Sequence, residues 1–152
     1  MPGAIQGLYF DDFPLEEEYT SPGRTVTETD LVMFSGVSGD FNQLHSDAEF
    51  AKTSYFGQRI AHGALVLSMA TGLTSRIGVI EGTAIAFLGL TWKFTKPVMI
   101  GDTIRVKLKA IKKRAVGREA GMVIAAVSVV NQKDEVVQSG EWTVMVKRKQ
   151  GN

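Results

Sequence analysis

From residue 103 the chain alternates: Ile104, Val106, Leu108 and Ala110 are apolar, and Arg105, Lys107 and Lys109 between them are charged. A period of two marks a half-buried strand. The pattern from residue 83 onward, cut by Gly/Asp and Asn/Lys/Asp turns, predicts four strands over about 84–95, 103–114, 119–131 and 135–147. Upstream the pattern changes. In the segment 62–77 the apolar residues fall at 64, 65, 66, 67, 69, 70, 73 and 77 and keep to no single face. That predicts a long helix, and a helix apolar nearly all round is a buried one. Gly63, Ala64, Ser68, Ala70 and Gly72 are small enough to admit a sheet close by. Gly72 costs about 1 kcal/mol relative to alanine, which tight packing offsets.

Two shorter helices are announced by their caps. Thr27 followed by Asp30 is a capping-box pattern and predicts a helix running to about Ser38. Ser46 followed by Glu49 repeats it and predicts a second over about 47–53, capped by Ser46. The first third is otherwise turn-rich, with Pro14, Pro22 and Gly23. One buried helix followed by an antiparallel sheet is an α+β layer arrangement, in which the helix covers the apolar face of the sheet.

Composition narrows this further. The chain has 152 residues, 44% of them hydrophobic. That size fits a single domain, 1–152, able to build a core without covalent staples. The absence of cysteine excludes disulfides, thiolate metal sites and a cysteine nucleophile. No apolar stretch approaches the roughly 18 residues of a membrane span. The segment Met1 to Phe13 has no basic start and carries Asp11 and Asp12, so it does not read as a secretory signal; a cytoplasmic location is expected.

The net charge is +1, unevenly spread: residues 1–50 hold ten acids and one base, and residues 101–152 hold eleven bases and five acids. Either the basic half meets an anionic partner or these charges sit on solvated faces. Nucleic acid is not expected as a partner, because the bases alternate along strands and no Gly-aromatic RNA signature is present.

Chemistry gathers around the two histidines. Asp40, Asn42 and His45 place an acid, an amide and an imidazole within six residues. Adding water to a double bond needs one group to take a proton from water, another to deliver one nearby, and a fixed amide to orient them. An ordinary turn uses the same residue types. The second cluster is Ile60-Ala61-His62-Gly63-Ala64. Gly63 falls at the first turn of the long helix, where amides lack intrahelical partners and the dipole favours negative charge. An unhindered glycine amide there suits an oxyanion donor. Plain packing of a helix start, with His62 buried or capping, fits equally.

The segment Gly36-Val37-Ser38-Gly39-Asp40-Phe41-Asn42-Gln43-Leu44-His45-Ser46-Asp47 resembles the hydratase signature of the MaoC-like dehydratases, the (R)-specific enoyl-CoA hydratases. The family pattern runs Gly-Asp-x-Asn-Pro-aliphatic-His. Phe56-Gly57, Ile60-Ala61-His62-Gly63 and Leu65-Val66 resemble its second block. Phe94-x-x-Pro97-Val98 and Gly101-Asp102-Thr103 resemble its strand-turn-strand block. The matches keep family order from about residue 8 to 145.

The resemblance implies a hot-dog fold, an antiparallel β-sheet wrapped around a long central α-helix, and a homodimer or higher homo-oligomer with sites near the subunit interface. It implies a hydro-lyase of acyl-CoA metabolism, catalysing reversible syn addition of water to a trans-2-enoyl thioester without cofactor or metal. Asp40 and His45 carry over as the acid–base pair, Asn42 as the orienting amide and the Gly63 amide as the thioester oxyanion donor. His62, Tyr55, Phe56 and Ala64 are expected at the substrate, Tyr55 and Phe56 overhanging the acyl tunnel; loop packing is the other reading of these two. Gln43 departs from the pattern, standing where the family has proline; it restores an amide donor and frees φ. Arg105, Lys107, Lys109, Lys112, Lys113, Arg114 and Arg118 are candidate phosphate contacts for coenzyme A; a solvated sheet face is the other reading. The competing functions are a hot-dog acyl-CoA thioesterase and a non-catalytic acyl-CoA-binding subunit.

Overall fold

The structure, a computed structural model, describes residues 6–149. The first five residues of the segment weighed as a secretory signal lie outside the described residues. A 3-10 turn at Phe10–Asp12 comes first. Then follow β1 (Glu18–Thr20), β2 (Arg24–Thr25), α1 (Glu28–Ser38), α2 (Gln43–Ser46), α3 (Ala48–Lys52) and α4 (Gly63–Ile77). Four long strands complete the chain: β3 (Ala84–Phe94), β4 (Thr103–Val116), β5 (Ala120–Val130) and β6 (Val136–Lys147). The sheet is antiparallel with order β1-β4-β5-β6-β3, and β2 continues the β1 edge against β4. It curls around α4, the hot-dog arrangement that the sequence led us to expect. No helix among the described residues is long and apolar enough to cross a membrane.

The alternation on β4 does what its period requires. Ile104, Val106, Leu108 and Ala110 are buried, while Arg105, Lys107 and Lys109 stand half-exposed on the other face. α4 contributes Leu65, Val66, Met69, Ala70 and Leu73 to the core, where they join Leu31 of α1 and Val127, Val129, Val137 and Trp142 of the sheet. Leu31 and Leu73 are each 1% exposed, and full burial of a leucine contributes about 1.5–3 kcal/mol. α4 is not buried all round, as its scattered apolar residues suggested. Ala64, Ser68, Thr71, Gly72 and Ser75 are open in this chain, because the sheet curls over only one side of the helix.

The caps sort into one that matched and one that moved. The Thr27 hydroxyl accepts from the Asp30 amide, and the Asp30 carboxylate accepts from the Thr27 amide at 2.9 Å: both halves of the box. At α3 the cap is Asp47 instead of Ser46. Asp47 Oδ1 accepts from the Glu49 and Phe50 amides, both at 2.9 Å. Ser46 already belongs to α2, where its hydroxyl donates to the Phe41 and Asn42 carbonyls. A carboxylate two residues before Glu49 reaches the orphan amides that a serine within a preceding helical turn cannot.

The basic surface is largely spoken for. Arg105 and Lys107 face Asp134, and Lys109 pairs with Glu16. Lys113 donates to the carbonyls of Phe10, Asp11 and Phe13 and lies 5.3 Å from the Phe10 ring centroid. It pins the amino-terminal segment to the sheet. The opposite edge is open: β3 carries Ile85, Phe87, Leu88, Leu90 and Phe94, each more than 40% exposed, on a strand with no further neighbour among the described residues.

Candidate active site

The site is assembled by the turn between α1 and α2 and by the four residues that lead into α4. α1 ends at Gly39 in the left-handed conformation, φ 75°, which glycine adopts without strain. That turns the chain so that Asp40 follows directly. The Asp40 carboxylate accepts from the Asn42 amide at 3.2 Å, and Asn42 in turn caps α2, its Oδ1 accepting from the Leu44 amide at 2.9 Å. Asn42 is therefore engaged in shaping the turn. Gln43 takes the first helical position of α2, a place where proline is also well tolerated, so the turn forms without it.

α2 presents His45, half-buried, to the segment Ile60–Gly63. Its Nδ1 lies 2.8 Å from the Ile60 carbonyl oxygen. A carbonyl only accepts, so Nδ1 carries the proton and Nε2 is left with its lone pair in the neutral ring. His62 is buried, 2% exposed. Its ring stacks on that of His45, centroids 3.8 Å apart and planes 28° from parallel. Its Nε2 donates to the Asp40 carbonyl at 3.0 Å, with Ser35 Oγ at 3.3 Å sharing the same hydrogen. One carboxylate oxygen of Asp40 and one ring nitrogen from each histidine lie within 4.8 Å of one another.

Gly63 opens the 15-residue α4, with His62 at the cap position. Its amide belongs to the first turn, where no intrahelical acceptor exists and the helix dipole is positive. A Cβ at this position would stand 2.8 Å from two atoms of the Phe94 ring, so any side chain here would press on that ring. The Gly63 carbonyl accepts from Gln138 Nε2 at 3.0 Å, and Gln138 Oε1 accepts from Trp92 Nε1 at 2.8 Å. The indole can only donate and the carbonyl can only accept, so the amide of Gln138 has one possible orientation.

Beside Gly63 lies a cleft of about 530 Å³. Its walls include Phe56, Ile60, Ala61, Gly63, Ala64 and Phe94, with Lys96 and Gln138 as polar members. Of the residues expected at a substrate, Phe56 and Ala64 line it. Tyr55 is 98% exposed and touches only Phe56 among the aromatic rings. Asp40, His45 and His62 are not among the lining residues; Ile60, which orients His45, is the link between pair and cleft. Gln138 and Lys96 were missed from the sequence. A single glutamine on a strand carries no signal. Lys96, paired with Glu135 at 2.7 Å, lay outside the basic run that drew attention.

A MaoC like domain model matches residues 12–133. The chain is 32% identical over 143 residues to an (R)-specific enoyl-CoA hydratase of Rhodospirillum rubrum, covering 91% of each protein. It is 39% identical over 106 residues to protein MaoC of Klebsiella aerogenes, covering 69% of this chain and 31% of that much longer relative. Among solved structures, a monoamine oxidase regulatory protein from Archaeoglobus fulgius superposes with a TM-score of 0.89 at 34% identity, covering 95% of this chain and 97% of the other.

Proposed function

The chain belongs to the MaoC-like domain family, and from that premise we propose that it is an (R)-specific enoyl-CoA hydratase, or in reverse a 3-hydroxyacyl-CoA dehydratase. The observation that carries the reading is the convergence of Asp40 and His45 within 4.8 Å around His62, the residue that precedes Gly63 and the first-turn amide of α4. A water molecule with a hydrogen bond of about 2.8 Å to each of two groups spans roughly 4.5 Å, inside the 4.8 Å limit on the pair's separation, and in this reading one water sits between them. His45, with Nδ1 protonated, offers Nε2 as acceptor for a proton of that water.

In this reading the thioester oxygen of a trans-2-enoyl substrate rests on the Gly63 amide. The water held by Asp40 and His45 attacks C3. One member of the pair takes the water's proton, and the pair gives one to C2 on the same face, so the pair as a whole keeps its proton count. Negative charge developing on the thioester oxygen is met by the amide and the dipole of α4. In this reading Asp40 and His45 act as one unit through the water they share.

A second chain completes the site in this proposal. β3 is an apolar edge strand, and such an edge is a template for pairing. The open face of α4 adjoins it through a smaller cavity of about 160 Å³ that Thr71, Ser75, Phe87 and Trp142 share. A homodimer joined there would cover both faces and wall the pair from solvent. Lys96, the cation of the cleft, is then the residue closest to hand for a coenzyme A phosphate.

The test is an absorbance assay of trans-2-enoyl-CoA hydration across chain lengths, with product chirality determined and a thiol dye run alongside. Loss of the conjugated absorbance with an (R)-3-hydroxyacyl product supports the proposal. Release of free coenzyme A without hydration means a thioesterase and overturns it.

A further inference from the structure

We infer that His62 is a positioning residue for the acid–base pair, acting on both members at once; the inference rests on the reading of Asp40 and His45 given above. The ring touches the two partners in different ways. It lies flat under His45 at 3.8 Å, and its Nε2–H holds the backbone carbonyl of Asp40 at 3.0 Å. Phe34 packs against the same ring at 5.1 Å between centroids, so the imidazole is itself braced. His45 is thus fixed by two contacts, the Ile60 carbonyl at one ring nitrogen and the His62 face across its plane. Asp40 is fixed by two as well, the His62 clasp on its carbonyl and the Asn42 amide on its carboxylate.

The second observation is an orphan. His62 Nδ1 is buried and has no hydrogen-bond partner among the described residues. A phenylalanine would fill the same space without leaving a bare acceptor inside the protein. Packing alone therefore does not call for an imidazole here. The atom that a hydrocarbon ring cannot supply is Nε2, and Nε2 is spent on Asp40. Since His62 also caps α4 next to Gly63, the run Ile60–Gly63 sets three things together: the tautomer of His45, the backbone of Asp40 and the proposed oxyanion amide. Substrate contact is not its role, because the ring is 2% exposed and stands outside the cleft wall.

The two histidines hold opposite tautomers in this arrangement: Nδ1–H on His45 and Nε2–H on His62. They are the only two imidazoles in the chain, so nitrogen-15 NMR of the full-length protein labelled at histidine reads both without crowding. The expected wild-type spectrum shows one ring of each tautomer. Two variants then separate the contacts. His62→Phe keeps the plate under His45 and removes the clasp on Asp40; His62→Gln keeps an amide N–H for the clasp and removes the plate.

In His62→Phe the single remaining imidazole is expected to stay Nδ1–H while kcat for enoyl thioester hydration falls about 100-fold, the effect of a reacting group misplaced by about 1 Å, with KM within about twofold. In His62→Gln the tautomer preference of His45 is expected to weaken and kcat to fall to a lesser extent. Two rings of the same tautomer in the wild type overturn the inference. So does a rise in KM at unchanged kcat in His62→Phe, which is the mark of a substrate contact. Should the wild type hydrate no enoyl thioester, the functional proposal fails, while the NMR spectra still decide whether His62 orders its two neighbours.

Discussion

Replacing Gly63 with alanine probes the amide at the head of α4 without removing it. The added Cβ stands 2.8 Å from Cδ1 and Cε1 of Phe94. Carbon atoms in ordinary contact sit about 3.5–4.0 Å apart, so the ring must retreat by about 1 Å. Phe94 is 61% exposed and ends β3, so in the isolated chain it has room to turn. Alanine also favours the helix over glycine by up to about 1 kcal/mol. The two effects offset, and the variant is expected to melt within a few degrees of the wild type. Activity behaves differently. The methyl group pushes Phe94, a wall of the cleft beside the amide, and so shifts a substrate carbonyl seated there. A carbonyl pushed off one oxyanion donor is expected to lose as much as when the donor is deleted, on the order of 100-fold in turnover or about 2.7 kcal/mol of transition-state stabilisation. The assay is steady-state hydration of a short enoyl-CoA with a thermal melt beside it. A Gly63→Ala protein that is folded and within threefold of wild-type kcat/KM would refute the oxyanion role.

Other consequences follow from the same contacts. Asp47→Ala should lower stability by about 1 kcal/mol in a urea melt, while Ser46→Ala changes it less; the reverse order would return the α3 cap to Ser46. Burial pushes the Asp30 carboxyl up, but the Thr27 amide and hydroxyl and the Arg24 guanidinium outweigh it and hold it below its ordinary 3.8. A lowered folded value stabilises fully above the unfolded one and is lost as pH falls through the folded one. The stability deficit of Asp30→Asn against wild type should therefore shrink below about pH 3.8, and a constant deficit there contradicts the assignment. Leu88→Lys places a charge on the open β3 edge and should convert a dimer to monomer in sedimentation velocity, with loss of hydration activity. An unchanged dimer would move the interface elsewhere.

Much of this fold can be read from the chain because its long elements have strong periods. The 103–114 alternation became β4, extended by two residues to Val116, and the 62–77 run became α4 beginning one residue later at Gly63. β1 and β2 left no trace, since three and two residues are too few to show a period. α2 was hidden for the same reason: four residues between Asn42 and Asp47 read as a turn. At the site, Asp40, Asn42 and His45 are local in sequence and were found together. Gln138 was not, because it meets Gly63 only after β6 has folded back against β3, 75 residues away. The openness of α4 on one side was equally invisible, since small residues such as Ser68 and Gly72 suit a close neighbour whether it comes from the same chain or another.

Asp40 is the most direct test of the proposed chemistry. Asp40→Asn keeps the size of the side chain and its acceptor for the Asn42 amide but removes the ionisable oxygen that the proposed water needs. General acid–base groups contribute about 100- to 10,000-fold, so hydration of crotonyl-CoA by the folded variant is predicted to fall by at least 100-fold with its oligomeric state unchanged. Hydration at a rate near that of the wild type would contradict the central claim.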